Sequence, residues 1–281
     1  MKTLVFGSNG QLGSEISKRI KSIKINRKKN NNFNINNYNS IRKIVDKHKP
    51  KIVINCIAFT DVDKAEKCKK LCKQTNILFV EKLARICKIN DILLIHFSTD
   101  YIFSGKQKGL HNEKSICKPL NYYGKSKLMA EKIIKKIDCK HIILRVSWLY
   151  NIFKKNNFIS KLTKQMKKKT IIFLPDDQFG SPTSVRFVTG VLLKIISSYK
   201  KNNFPLGTYN IATSRPSNRY QIGLYLKKIL RAKNEIQPIK TFKIKSSAKR
   251  PLNSSLSSLK LQKILKNNII NWKNDLRSNL R

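Results

Sequence analysis

The chain has 281 residues, 40% of them hydrophobic, which is enough for one large or two small folded domains. No apolar run approaches the roughly 20 residues that a membrane-spanning helix needs, so we expect a cytoplasmic protein with no membrane partner. A formal net charge of +45 leaves a basic nucleic-acid-binding protein as an alternative, but the basic residues are scattered rather than gathered in a tail, so we expect no specific nucleic-acid partner.

The first half of the chain alternates between strand-like and helix-like segments. The predicted strands are Thr3–Phe6, Ser22–Ile25, Lys51–Cys56, Ile92–Ser98 and His141–Val146. The predicted helices between them cover about Leu12–Ile20, Ser40–His48, Val62–Leu71, Asn76–Ile89 and Tyr123–Lys136. Repeated strand–helix–strand units predict an α/β fold with a doubly wound parallel sheet, Rossmann-like, covered by helices on both faces.

The alternation weakens beyond about Tyr150. Pro and Gly become more frequent there, as in Leu174–Asp177 and Gly180–Thr183, and a further helix is predicted at Ser217–Arg231. We therefore predict a dinucleotide-binding domain over residues 1–150. A smaller mixed lobe for substrate binding is predicted over residues 151–281, and an exchange of segments between the two is left open.

Glycines follow the first predicted strand at a spacing that suits a nucleotide phosphate. Gly7, Gly10 and Gly13 allow a tight turn and a close approach of phosphate to the backbone at a helix N-terminus. An ordinary strand–helix turn is the alternative. The second strand ends in Ile25-Asn26-Arg27-Lys28, without a carboxylate for ribose hydroxyls, which favours NADPH, with NADH as the alternative.

Tyr123 and Lys127 lie four residues apart in a predicted helix, and therefore on one face. A free tyrosine has a pKa near ~10, and a lysine beside it favours the phenolate, which brings proton transfer closer to neutral pH. Thr99, directly after the strand Ile92–Ser98, offers a hydroxyl that can hold a substrate oxygen beside the phenol. His96 lies within the same apolar strand and is expected to be a core histidine.

Motifs that occur together in one known family extend along nearly the whole chain. They are Gly7-x-x-Gly10-Gln11-Leu12-Gly13, Val53–Thr60, Val62–Glu66, Asn76, Ser98–Phe103, Asn121–Lys127, Arg145–Tyr150, Asp177–Thr183 and Arg250–Ser254. The combination resembles the dTDP-4-dehydrorhamnose reductases, which belong to the extended short-chain dehydrogenase/reductases. The last two motifs, in the predicted C-terminal lobe, point to this family rather than to reductases at large.

The resemblance implies reduction of the C4 ketone of dTDP-4-dehydro-L-rhamnose by NADPH. Tyr123 is implied to donate the proton, Lys127 to lower the phenol pKa and hold the nicotinamide ribose, and Thr99 to bond the substrate oxygen. The implied cofactor-binding residues are Gly7, Gly10, Gln11, Leu12, Gly13, Asn34, Ile35, Ala58, Phe59, Thr60, Tyr123 and Lys127. The implied residues for the dTDP-sugar are Thr99, Asp100 and Trp148.

The chain departs from the family pattern at Asn34, where an Asp is usual, and at Phe59, where a Tyr is usual. Some relatives bridge a dimer through magnesium; this chain has Glu15, but Ser184-Val185-Arg186 lacks an acid, so we predict no metal and a monomer or homodimer. A non-catalytic, nucleotide-binding regulatory relative of the same fold is a further alternative, as is another nucleotide-sugar reductase or epimerase.

Overall fold

The computed structural model describes residues 1–26, 33–154, 157–168, 170–266 and 268–280. The strands are β1 (Thr3–Phe6), β2 (Ile23–Ile25), β3 (Ile52–Asn55), β4 (Leu93–Thr99), β5 (His141–Val146), β6 (Leu149–Tyr150), β7 (Ile172–Pro175), β8 (Phe179–Gly180), β9 (Thr183–Ser184), β10 (Gly207–Ile211), β11 (Ser217–Asn218) and β12 (Ile236–Ile239). The helices are α1 (Gln11–Arg19), α2 (Tyr38–His48), α3 (Val62–Lys67), α4 (Lys69–Lys73), α5 (Phe79–Ile89), α6 (Tyr122–Ile137), α7 (Phe158–Gln165), α8 (Val185–Lys200), α9 (Arg219–Leu230), α10 (Leu259–Leu265) and α11 (Trp272–Leu280). A π-helical turn (Gln74–Leu78) joins α4 to α5, and short 3₁₀ turns cover Asp100–Ile102 and Thr241–Lys243.

In the described part of the chain, six strands form one parallel sheet in the order β10-β5-β4-β3-β1-β2. Successive residues of a strand face opposite sides, so Val5 joins one buried cluster with residues of α1 and α8. Leu4 joins a second cluster with residues of α2, α5 and α6. Both faces are thus covered by helices, and the prediction of a doubly wound parallel sheet is confirmed.

Small two-stranded sheets, β11–β8, β12–β7 and β6–β9, lie outside the main sheet in the described part of the chain. Strands β6, β7 and β12 contribute to a separate apolar cluster that includes Tyr150, Leu174, Ile222 and Trp272. Strand β10 nevertheless pairs with β5 in the main sheet, and α8 packs on that sheet, although both follow residue 150. The domain division at residue 150 stays a prediction. An exchange of segments between the two predicted domains would include elements such as β10 and α8.

Helix α6 carries the Tyr123/Lys127 pair, and its start is determined by a capping side chain. Asn121 Oδ1 accepts a hydrogen bond from the backbone N–H of Gly124 at 2.8 Å, which satisfies one of the free amides of the first turn. The helix ends at Ile137, before a left-handed residue at Asp138. It has 16 residues, and no helix in the described ranges is long and apolar enough to cross a membrane.

A buried ion pair fastens α6 to strand β5. The guanidinium of Arg145 donates two hydrogen bonds to the carboxylate of Glu131, at 3.0 Å from Nε and 2.7 Å from Nη2. Both side chains are at most 3% exposed, so each charge depends on the other for compensation. Arg145 therefore has a structural role: it helps to hold α6, and with it the catalytic candidates, against the sheet.

We expect Glu131→Gln to lower the free energy of unfolding by about 3 kcal/mol or more, because it leaves the buried guanidinium of Arg145 without a counter-charge. Urea unfolding at pH 7 measures this change. The matched control is Glu81→Gln, which breaks the exposed pair between Glu81 and Arg85 on α5 and is expected to cost less than about 1 kcal/mol. Equal losses in the two variants would contradict the structural role of Arg145.

Candidate active site

A cavity of about 640 Å³ opens at the carboxyl ends of the parallel strands. Its lining includes residues that follow β1 and β3, the last residues of β4, and Tyr123 and Lys127 from α6. The lining also includes residues from the C-terminal half of the chain, among them Phe158 and Arg219. Ligands of parallel α/β sheets bind at this edge, where the loops after the strands converge.

Most of the site residues predicted from the sequence line this one cavity. They are Gly10, Gln11, Leu12, Ala58, Thr60, Thr99, Asp100, Tyr123, Lys127 and Trp148. Among the described residues, the other predicted positions lie outside the lining: Gly7, Gly13, Asn34, Ile35 and Phe59. The assignment of each residue to cofactor or substrate stays a prediction.

Gly7 and Gly13 shape the loop that leads into α1. Gly7 has φ +80°, a left-handed conformation that favours glycine. A Cβ atom on Gly13 would lie 2.2 Å from the carbonyl oxygen of Gly7, so the first turn of α1 can approach the loop only with glycine there. Gly10 is the N-cap of α1 and makes no side-chain capping bond, which leaves a helix N-terminus of the kind that binds phosphate at the cavity wall.

The adenine-side positions lie at a turn before α2. Ile35 is 2% exposed and packs in the core, while the side chain of Asn34 accepts a bond from the backbone N–H of Asn36 at 2.9 Å. The NADPH preference was inferred from Arg27 and Lys28, which lie outside the described residues. The described end of β2 is held to the glycine loop by a bond from Asn26 Nδ2 to Ser8 Oγ at 2.9 Å.

Asn76 holds the segment after β3 in place. Its Oδ1 accepts from the backbone N–H of Phe59 at 2.7 Å, and its Nδ2 donates to the Phe59 carbonyl at 3.1 Å and to Ser126 Oγ at 2.9 Å. Asn76 lies in the π-helical turn and is fully buried. It therefore connects Phe59, between the cavity-lining residues Ala58 and Thr60, to helix α6.

Tyr123 and Thr99 both line the cavity, and their side chains are close enough to share a hydrogen bond. Burial raises the pKa of the Tyr123 phenol above its ordinary value, and a hydrogen bond with Thr99 lowers it in part. The ring of Tyr101 lies edge-on to Tyr123, with ring centroids 6.1 Å apart. In the ligand-free protein the phenol is therefore protonated at neutral pH, as a proton donor must be.

The amine of Lys127 is bound to strand β4. Its Nζ donates to the carbonyl oxygen of Phe97 at 2.6 Å and lies 3.2 Å from Nε2 of His96. Lys127 is 2% exposed, and burial lowers the pKa of its amine to about 8. The expected effect of Lys127 on the phenol of Tyr123 stays a prediction, because the contacts of Nζ are to β4.

Asp100 accepts hydrogen bonds from three neighbouring hydroxyls. Thr99 Oγ1 donates to its Oδ1 at 3.1 Å, and Ser147 Oγ, at 3.0 Å, and Ser254 Oγ donate to its Oδ2. Burial raises the pKa of the carboxyl to about 6 in spite of these bonds. Ser254 belongs to the Arg-Pro-x-Asn-Ser motif, so that C-terminal segment supports the site through Asp100.

Trp148 and Arg219 form the wall on the side of the C-terminal half. Trp148 has φ +40°, a strained conformation of the kind that clusters at ligand sites. The guanidinium of Arg219 lies 4.6 Å from the ring centroid of Trp148 and 4.5 Å from that of Phe158. No described carboxylate forms an ion pair with Arg219. Sequence reasoning missed Arg219 because nothing distinguishes it among 60 basic residues.

The described residues contain no group of three or more His, Cys, Asp or Glu side chains that could hold a metal ion. Glu15, the acid considered for a magnesium bridge, pairs with Arg19 at 2.8 Å on α1. Ser184 caps α8 by accepting from the backbone N–H of Phe187, and its hydroxyl donates to Asp275 Oδ1 at 2.7 Å. Both positions thus have structural partners.

Comparisons with known proteins extend over the whole chain. The family model of the RmlD substrate binding domain matches residues 1–281. A dTDP-4-dehydrorhamnose reductase of Aggregatibacter actinomycetemcomitans is 28% identical over 287 residues, which cover 99% of this chain and 97% of the relative. A crystal structure of a dTDP-4-dehydrorhamnose reductase from Clostridium acetobutylicum has a TM-score of 0.91 and 29% identity, covering 100% of this chain and 98% of that one. The crystal structure of a dTDP-4-dehydrorhamnose reductase from Bacillus anthracis in complex with NADP has a TM-score of 0.92 and 26% identity. The match covers 100% of this chain and 99% of that one. These matches confirm the resemblance inferred from the motifs.

We expect Asp100→Asn to change the pH dependence of stability. The folded-state pKa of Asp100 is about 6, above the 3.8 of an ordinary Asp, so its stabilising contribution is full below pH 3.8 and is lost as the pH rises through 6. The variant lacks this loss. Its free energy of unfolding relative to the wild type should therefore rise by up to about 3 kcal/mol between pH 4 and pH 8. Urea unfolding at both pH values measures the change, and a constant difference would contradict the raised pKa.

Proposed function

We propose that this chain, which belongs to the family of the RmlD substrate binding domain, reduces the C4 ketone of dTDP-4-dehydro-L-rhamnose to dTDP-L-rhamnose with NADPH. The observation that carries this proposal is the single cavity that contains both the N-terminus of α1 and the phenol of Tyr123. A nucleotide-binding loop and a proton donor that line one cavity are what a nicotinamide-dependent carbonyl reductase needs.

The glycine loop fits a nicotinamide dinucleotide. Gly10 carries no side chain over the N-terminus of α1 and makes no capping bond, so backbone N–H groups can bind the pyrophosphate. Ala58 and Thr60 would lie on the ribose side, and Lys127 would hold the nicotinamide ribose. The complex of the Bacillus anthracis relative with NADP supports the choice of NADPH. When bound, the reduced nicotinamide supplies the hydride for the ketone carbon.

Tyr123 donates a proton to the ketone oxygen as negative charge develops there. Its raised pKa keeps the phenol protonated until that charge appears, because an alkoxide is a far stronger base than the phenolate. Thr99 carries one hydroxyl proton, which it donates to Asp100 in the ligand-free protein. To donate a bond to the substrate oxygen, Thr99 has to turn its proton away from Asp100.

The substrate diphosphate carries two negative charges and needs positive charge in the cavity. Arg219 supplies such a charge, since it lines the cavity and is held between the rings of Trp148 and Phe158. Stacking on two rings fixes the guanidinium without neutralising it, so it can bind a phosphate. Trp148 offers the rest of its ring as an apolar wall for the deoxysugar.

We expect Tyr123→Phe to lower kcat by about 10²-fold or more, because it removes the proton donor without changing the shape of the ring. The loss of nicotinamide absorbance, in the presence of NADPH and dTDP-4-dehydro-L-rhamnose, measures the rate. Tyr122→Phe is the matched control, since it removes a phenol from the neighbouring residue, whose side chain does not line the cavity. It is expected to keep most of the activity.

The outcomes separate the alternatives. Nicotinamide oxidation that requires the sugar and collapses only in Tyr123→Phe supports the reductase. Binding of both ligands without turnover would favour the non-catalytic regulatory relative. Equal activity in the wild type and in Tyr123→Phe would refute the assigned proton donor.

A further inference from the structure

A chain of buried hydrogen bonds runs from the backbone after β3 to the amine of Lys127. The backbone N–H of Ile57 donates to Asn55 Oδ1 at 2.9 Å, and Asn55 Nδ2 lies 3.1 Å from His96 Nδ1. His96 Nε2 then lies 3.2 Å from Lys127 Nζ, and Nζ donates to the carbonyl of Phe97 at 2.6 Å. Asn55, His96 and Lys127 are each at most 2% exposed, so water cannot substitute for a mismatched partner.

The direction of each bond follows from the two backbone groups at the ends. A backbone N–H can only donate, so the Ile57 amide requires the oxygen of Asn55 to face it. Asn55 then presents its NH₂ group to His96, and Nδ1 of His96 must accept. A neutral imidazole with an accepting Nδ1 carries its proton on Nε2, so the ring donates toward Lys127.

An ammonium group cannot accept this bond, because it has three N–H donors and no lone pair. A charged Lys127 would force His96 to accept at Nε2 and to carry its proton on Nδ1, against the NH₂ group of Asn55. Turning the Asn55 amide over would only move the clash to the N–H of Ile57. With a neutral amine, every donor and acceptor in this series of hydrogen bonds has a partner, since the amine accepts from His96 and donates to Phe97.

We propose that His96, held by Asn55 as the Nε2–H tautomer, is a positioning residue that favours the neutral amine of Lys127 over the ammonium in the ligand-free protein, so that Lys127 gives up its proton at a lower pH than an ordinary lysine. The surroundings of Nζ agree. Glu131, one turn further along α6, has its carboxylate bound to Arg145, and the other groups that face Lys127 are the thiols of Cys72 and Cys56. Burial raises the pKa of both thiols, so they are neutral. Of these described groups only Glu131 is an anion; its charge favours the ammonium, but Arg145 compensates it.

The consequence for catalysis rests on the proposed function. Only the protonated fraction of Lys127 carries the charge that can act on the phenol of Tyr123. Reduction should therefore slow as the pH rises through the pKa of Lys127, and His96 sets the pH at which this happens. The spacing of Tyr123 and Lys127 in the sequence does not reveal this control, because Asn55 and His96 lie on strands β3 and β4 rather than on α6.

The test is a titration of Lys127 in the ligand-free protein, followed by NMR of lysine labelled with ¹³C at Cε. The signal is assigned by its absence from the spectrum of Lys127→Met. In the wild type we expect a midpoint near the pKa of about 8, well below the ordinary ~10.4 of lysine. An ordinary midpoint in the wild type would overturn the proposal.

Two variants should reverse the direction of the hydrogen bonds that run from Asn55 through His96 to Lys127. In Asn55→Asp, the carboxylate accepts from both Ile57 and Nδ1–H of His96, which leaves Nε2 to accept from an ammonium. In His96→Gln, the side-chain carbonyl can accept from the ammonium directly, and this variant serves if the first does not fold. Each should raise the midpoint by at least one pH unit, a change of about tenfold in proton affinity.

Cys56→Ala is the matched control, because Cys56 follows Asn55 and faces Lys127 without belonging to the chain of bonds. Its midpoint should stay within a few tenths of a pH unit of the wild type. A low midpoint that neither reversing variant changes, or an equal rise in the control, would overturn the role of His96. The titration needs no substrate, so it stands if reductase activity is absent, and an active reductase with an ordinary Lys127 would refute this inference alone.

Discussion

Burial of polar groups at the carboxyl end of β4 is the constraint on which the rest of the site depends. Asp100, His96 and Lys127 are each at most 2% exposed, so every donor and acceptor there needs a protein partner. The partners come from β3, from α6 and from the C-terminal half, which forces these elements together. The same burial that locates the groups also shifts their pKa values, upward for Asp100 and downward for Lys127. The positions of these groups and their shifted pKa values therefore have the same cause, which is burial.

The C-terminal half contributes more than a wall for substrate. Ser254 bonds to Asp100, Arg250 forms an ion pair with Asp63 at the start of α3, and Gly180 lies against the ring of Trp148. A Cβ atom on Gly180 would come within 2.3 Å of that ring, so the Asp-Gln-x-Gly motif determines where the tryptophan can lie. The residues of both motifs thus have a physical reason in contacts to residues that line the cavity.

The sequence predicted the sheet because periodicity and glycine spacing are local signals, whereas most of the predicted cavity-lining residues were implied by the family resemblance. Helix α6 was predicted within one residue at each end, because the pattern of helix-like segments is such a local signal. Local signals could not predict partners that are distant in the chain, such as Asn55 for His96 or Ser254 for Asp100. The cofactor contact of Ile35 was implied by the family resemblance and stays a prediction, although its side chain packs in the core. Local signals gave no role to Arg219, which lines the cavity.

The central claim is that one cavity brings a hydride donor to a ketone beside Tyr123. The most direct measurement is the transfer of deuterium from NADPH dideuterated at C4 of the nicotinamide, with dTDP-4-dehydro-L-rhamnose as the acceptor. NMR and mass spectrometry of the sugar locate the label. The account predicts dTDP-L-rhamnose with one deuterium at C4 of the sugar. Recovery of unlabelled sugar, whether unchanged or epimerised, while both ligands bind would contradict it.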